Sequence, residues 1–241
     1  MNLEGQNALV VGGGTGMGEA IALALSAEGM NVAIAGRRQE KLDAVAAQAK
    51  REMQTHAVDI GERESVQALF EWFGKSFDRL HVLVNSAGVN VPKRSMNELA
   101  PEDWDKLMRI NATGAFNCLH FGLPLMRPHK EGLVVNISSI AGLRASHLGG
   151  VAYNASKFAM NALGTSASGD ELPNNIRITT ICPGEVDTPI LDDRPEPPSA
   201  EHRATILKAS DIGEIVLAVA KLHPRAHIPE LTIKPTSQLF V

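Results

Sequence analysis

Val11-Gly12-Gly13-Gly14-Thr15-Gly16-Met17-Gly18, residues 11–18, follows a short apolar strand at Ala8–Val11 and opens an amphipathic helix from Gly16 to Glu28, which Gly29 closes. Strand, glycine turn and helix in that order bend the backbone sharply and leave the positive end of a helix open to an anion. A pyrophosphate suits that position, with Gly12, Gly14, Thr15, Gly16, Met17 and Gly18 as its candidate contacts. Away from a strand, the same glycines would make only a flexible loop.

The alternation continues along the chain. Strands are expected at Val32–Ala35, Thr55–Val58, His81–Val84, Leu133–Ile137, Ile176–Ile181 and Glu230–Ile233. Between them the pattern predicts helices at Gln39–Arg51, through Val66, Leu69, Phe70 and Phe73, from Pro101 towards Leu125 with Pro124 near its end, at Ala152–Glu171 and at Asp211–Leu222. Crossovers of this length imply one α/β domain over 1–241, a doubly wound parallel sheet of about seven strands with helices on both faces. Ligands of such sheets bind beyond the carboxyl ends of the strands. The glycine turn, Asn85-Ser86-Ala87-Gly88, Ser139 and Pro183-Gly184-Glu185-Val186 all end strands, so they converge on one crevice. Asp192–Ser199 is dense in proline and charge, and residues 188–208 are expected to form a surface loop or lid over it.

Of the 241 residues, 44% are hydrophobic, few are aromatic, and Ala, Val, Leu and Ile dominate, which supports a large core around a buried sheet and excludes a disordered or fibrous class. A net charge of -4 without a basic stripe gives no electrostatic reason to expect nucleic acid or an anionic membrane as partner. A small-molecule substrate fits better, and no metal is expected. Asn2-Leu3-Glu4-Gly5-Gln6-Asn7 runs straight into the first strand without the pattern of an export leader, and no stretch has the apolar length of a spanning helix. Cys118 and Cys182 lie in separate apolar elements and read as buried small hydrophobes. The expected setting is the reducing cytoplasm.

Tyr153 is the only tyrosine, and Lys157 follows it at i+4. A phenol with a pKa of about 10 is a poor proton shuttle at neutral pH. An ammonium group on the same helix face would favour the phenolate, so the pair reads as a tuned acid/base. Ser138 and Ser139 end the fifth strand, and strand alternation points their hydroxyls to opposite faces. After the second strand, where an acid would read a free 2′-hydroxyl, stand Gly36, Arg37 and Arg38. Two guanidinium groups suit a 2′-phosphate, the alternative being a solvated basic helix start. Asp59 and Ile60 end the third strand, where Asp59 is a candidate for the adenine, while the small residues of Asn85, Ala87 and Gly88 leave room after the fourth. Asn111 lies inside the long helix, where Asn has modest propensity and suggests a polar network. Arg94, Arg144, His147, Glu185 and Arg194 read as solvated residues at the rim, although a cation there would select an acidic substrate.

Together these residues resemble the short-chain dehydrogenase/reductase family. The resemblance runs from about residue 3 to 190, through the glycine turn, Asp59-Ile60, Asn85-Ser86-Ala87-Gly88, Asn111, Ser139, Tyr153-Asn154-Ala155-Ser156-Lys157 and Cys182-Pro183-Gly184-Glu185-Val186-Asp187-Thr188-Pro189. It implies a Rossmann-type domain and an NAD(P)-dependent oxidoreductase acting on an alcohol or carbonyl of a small molecule. Asn111, Ser139, Tyr153 and Lys157 map onto the catalytic group, with Ser139 taken over Ser138 by its place in the pattern. Tyr153 passes the proton, Ser139 steadies the substrate oxygen, Lys157 also grips the nicotinamide ribose, and Asn111 holds a water. Pro183, Gly184, Val186 and Thr188 join the cofactor contacts, and a homodimer or homotetramer is implied.

Val11 replaces the usual Thr, and Ser86 the commoner second Asn, so two polar braces of the cofactor loops are lost. Thr15 stands where many NADP-preferring members carry a basic residue, against which Arg37 and Arg38 favour NADP over NAD. Residues 227–238, His-Ile-Pro-Glu-Leu-Thr-Ile-Lys-Pro-Thr-Ser-Gln, are closer to NADP-dependent members acting on hydroxy acids or small alcohols. Longer-chain epimerases and dehydratases need a further C-terminal domain. A dinucleotide-binding regulator without chemistry is the other alternative, and the intact Ser139, Tyr153 and Lys157 argue against it.

Overall fold

In the computed structural model, which describes residues 2–239, β1 (Asn7–Val11), α1 (Gly16–Ala27), β2 (Asn31–Gly36), α2 (Gln39–Ala46), β3 (Gln54–Ala57), α3 (Arg63–Ser76) and β4 (Val82–Asn85) alternate strictly. Then follow α4 (Pro101–Leu107), α5 (Gly114–Met126), β5 (Gly132–Ile137), α6 (Val151–Asp170), β6 (Ile176–Pro183), β7 (Val186–Asp187), α7 (Ala200–Thr205), β8 (Leu207–Lys208), α8 (Ala209–Lys221) and β9 (Glu230–Ile233). Met1, Phe240 and Val241, at the ends of the expected span 1–241, lie outside the described residues.

Seven strands pair in parallel in the order β3-β2-β1-β4-β5-β6-β9, so the Rossmann-type architecture expected from the sequence is present. Strand alternation divides the core. Ala8 and Val10 of β1 pack with Ile21 and Leu25 of α1 and Val216 of α8, whereas Leu9 and Val11 pack with Phe70 and Phe73 of α3 and Leu119 of α5. Each such Leu or Phe removed from water contributes roughly 1.5–3 kcal/mol. The chain winds one way from β1 to β3 and the other way from β4 onward. The loops after β1 and β4 therefore part, and a crevice opens between them. No described helix is long and apolar enough to cross a membrane. Cys118 and Cys182 are free and buried, as expected, and burial pushes their thiols up to about 12 and about 11.

Three elements depart from the sequence reading. The second helix stops at Ala46 rather than Arg51, because Gln48 and Ala49 bond three residues back and Arg51 Nη1 donates to Gly29 O at 2.6 Å across the turn that follows α1. The long helix from Pro101 is broken by a π-helical turn at Met108–Thr113, whose extra residue rotates Asn111 inward to Val89. The strap at 188–208, expected as a loop, holds a 3-10 turn at Pro189–Asp193, α7, and a parallel pairing of β7 with β8. Its charges explain the order: Arg203 pairs with Asp187 and Asp192, Lys208 with Asp187, and Arg194 and His202 with Glu185.

Candidate active site

At the end of β1, Gly12 adopts φ +88°, and a Cβ there would lie 2.4 Å from Ala87 N, so only glycine lets the loop after β4 press against the turn. Gly18 seats α1 on that turn, since a Cβ on it would lie 2.1 Å from Gly12 O. Thr15, the N-cap of α1, makes no side-chain cap, which leaves the first N–H groups of the helix open to the crevice.

The crevice encloses about 720 Å3 and runs from this turn in two directions. One arm passes Gly36, Arg37, Arg38 and Lys41 and reaches Val58, Asp59 and Ile60. Asp59 Oδ1 accepts from Gly61 N at 2.9 Å, which braces the turn after β3. Arg37, Arg38 and Lys41 make no side-chain hydrogen bond or ion pair among the described residues, and three uncompensated cations at one end of a groove suit a phosphate. Lys41, one turn beyond Arg37 and Arg38 on α2, was not singled out in the sequence, although its spacing puts it on their face. The other arm passes Ala87 and Gly88 to Tyr153, Lys157, Thr188, Ile190 and Asp193.

Of the expected contacts, Gly12, Gly14, Thr15, Gly16, Met17, Arg37, Arg38, Asp59, Ile60, Ala87, Gly88, Tyr153, Lys157 and Thr188 line this space. Ser139 and six others are not among the residues that line it, and the six are held by packing. Gly18 faces Gly12, and Asn85 Nδ2 donates to Asn136 Oδ1 at 2.9 Å inside the sheet. Pro183 is paired with Ile233 of β9, Gly184 N donates to Ile233 O at 2.7 Å, and Val186 is buried in β7. Asn111 sits behind the wall, fully buried, where Oδ1 accepts from Val89 N and Nδ2 donates to Val89 O and Ser156 Oγ at 2.9, 2.9 and 3.0 Å.

At the inner end Ser139 faces Tyr153 and lowers its phenol, and Ser139 Oγ accepts from Ala141 N at 3.1 Å. Ser138 also lines the crevice, and its Oγ donates to Lys157 O at 3.4 Å. Lys157 Nζ donates to Ile137 O at 2.9 Å and lies 5.7 Å from the centre of the Tyr153 ring. The expected tuning is not met here. Tyr153 opens on the crevice yet is set deep enough that burial raises its phenol above the ordinary value, against the lowering effects of Ser139, Arg94 and Arg194. Burial also brings Lys157 down to about 8. The cations that pull on the phenol are thus guanidinium groups from outside the helix. Arg94, Glu185 and Arg194, expected at a solvated rim, are mostly enclosed: Arg94 is only 6% exposed, and Arg194 Nη1 pairs with Glu185 at 2.9 Å.

An elongated ligand with phosphates at the uncapped end of α1 and beside Arg37, Arg38 and Lys41 fits this space. Gly88 lines its middle, beside Lys157 Nζ and Asn111 Oδ1.

Comparison with known proteins agrees with that geometry. Residues 6–198 match the model of the short chain dehydrogenase family. An uncharacterized oxidoreductase of Staphylococcus aureus is 30% identical over 232 residues, covering 95% of this chain and 96% of its own. Among solved structures, a metagenomic short-chain oxidoreductase in complex with NADP superposes with a TM-score of 0.84 at 30% identity, over 99% of this chain and 100% of that one. The closed form of a serine dehydrogenase complexed with NADP+ gives a TM-score of 0.90 at 25% identity, over 98% and 97%.

Proposed function

Because the chain belongs to the short-chain dehydrogenase family, we propose that it is an NADP-preferring oxidoreductase that reduces the carbonyl of a small molecule, reversibly, with Tyr153 as proton donor. One observation carries the reading. The lone phenol, faced by Ser139, ends the same crevice that begins at the uncapped helix.

When bound, the nicotinamide coenzyme supplies or accepts the hydride. Gly12, Gly14, Thr15, Gly16 and Met17 hold its pyrophosphate, Arg37, Arg38 and Lys41 its 2′-phosphate, and Asp59 and Ile60 flank the adenine. Ser139 orients the carbonyl oxygen, and Tyr153 Oη gives that oxygen its proton as the carbon is reduced. The phenolate left behind is stabilised by Arg94 and Arg194, and then recovers a proton from solvent. Asn111 keeps the wall between Lys157 and Val89 in register. The serine dehydrogenase likeness and residues 227–238 support a hydroxy acid or small alcohol as product.

A panel of oxo acids, ketones and aldehydes, assayed with NADPH and NADH by nicotinamide absorbance, tests this. At least one carbonyl should turn over with NADPH, and binding of NADPH without turnover of any of them would refute the assignment. Exchanging Arg37 and Arg38 together for Ser is expected to raise the KM for NADPH about ten- to a hundredfold, as loss of charged hydrogen bonds predicts. The KM for NADH should barely move. Equal effects on the two coenzymes would place the 2′-phosphate elsewhere.

The pH profile follows from the two shifts. Tyr153 is raised, so the acid form persists through the neutral range, while Lys157 loses its charge as pH rises through about 8. For reduction of a probe oxo ester, kcat/KM should be flat below that point and decline above it, since this ratio reports the free enzyme. A ratio that climbs through the same range would be incompatible with any need for a charged Lys157 in the crevice.

A further inference from the structure

Beyond its charge effect on the phenol, Arg94 joins three segments that meet around Tyr153. Its guanidinium, 6% exposed, donates from Nε to Val91 O at 2.8 Å, from Nη1 to Leu148 O at 3.1 Å and from Nη2 to Asp193 O at 2.5 Å. Those carbonyls belong to the loop after β4, the segment before α6, and the strap. Among the described residues no carboxylate lies within ion-pair distance of it. The backbone takes part too: Val151 N, at the start of α6, donates to Arg94 O at 3.0 Å. Gly150, the N-cap of α6, has φ +81° and would bring a Cβ to 2.5 Å from Arg94 Cβ, so the helix start is packed directly on this side chain. Tyr153 is the third residue of that helix.

We propose that Arg94 is a positioning residue whose forked guanidinium ties Asp193 of the strap to the crevice wall while its carbonyl holds the first turn of α6, so that strap closure and presentation of Tyr153 are one mechanical event. This deepens the oxidoreductase reading and rests on Tyr153 as its proton donor. Backbone carbonyls from three loops need a planar fork with separated N–H groups; a lysine keeps the charge but not the fork. The groups that face the phenol are Arg94 from the loop after β4, Arg194 from the strap, Lys157 from α6 and the Ser139 hydroxyl. Arg194 is already neutralised by Glu185, which His202 also contacts.

The test needs no substrate. Tyr153 is the sole tyrosine, so tyrosinate absorbance after rapid pH jumps reports this one phenol, and limited trypsin cleavage after Arg203 reports opening of the strap. Wild type, Arg94→Lys and Arg94→Met are compared. Both variants should be cleaved after Arg203 about tenfold faster, because a charged hydrogen bond that closes the strap is gone. The midpoint of Tyr153 ionisation should rise in Arg94→Met and stay near that of the wild type in Arg94→Lys. Wild-type cleavage in Arg94→Lys, or an unmoved midpoint in Arg94→Met, overturns the proposal. Should Arg94→Met fail to fold, cleavage of Arg94→Lys decides alone. Turnover of Tyr153→Phe is measured alongside: its persistence would sink the oxidoreductase assignment, whereas unaltered cleavage sinks only the role of Arg94.

Discussion

Tyr153→Phe is expected to lower kcat for carbonyl reduction by about 10²- to 10⁴-fold, the usual contribution of a positioned general acid, while NADPH still binds. The change removes one oxygen and leaves the ring, which packs against the small apolar cluster of Val91, Leu107 and Ala152. The fold should therefore persist, and the loss should appear in kcat more than in KM. Ser139 would keep the bond from Ala141 N. Retention of near-native turnover would mean that another group supplies the proton, and the function proposed for this crevice would fall with it.

Gly12→Ala carries the second large effect, this time on stability. Strain at φ +88° and the clash of a new Cβ with Ala87 N at 2.4 Å act together. Their sum is about 2–6 kcal/mol, which corresponds to a fall in melting temperature of roughly 4–24 °C for a chain of this size. Gly5→Ala is the control, because Gly5 has φ +74° but nothing within 4 Å of the position its Cβ would take. It carries the strain without the clash. Equal melting temperatures for the two variants would show that the loop after β4 is not seated on Gly12.

What could be read from the sequence was local. The strand, glycine turn and helix at residues 7–27 lie within one short stretch, and β1 and α1 form there with ends shifted by a residue. Tyr153 and Lys157 share a helix face by spacing alone. What spacing does not carry is burial, and burial sets the direction of both of their shifts. Arg94 escaped for a related reason: its carbonyl partners Leu148 and Asp193 stand 54 and 99 positions away, so nothing near it in the chain marks it as enclosed. The end of α2 and the π-helical turn were likewise decided by distant partners, Gly29 and Val89. Helix propensity gives way when a side chain has such a target.

The borders of the sheet have a consequence for the behaviour of the protein at high concentration. β3 and β9, the outermost strands, are four residues each, and Gln54, Thr55 and His56 on one and Glu230 and Thr232 on the other give them polar character. Short, polar margins make poor templates for another molecule's backbone. Strand-to-strand fibre growth is therefore disfavoured, and the long apolar strands most prone to it stay enclosed in the middle of the sheet.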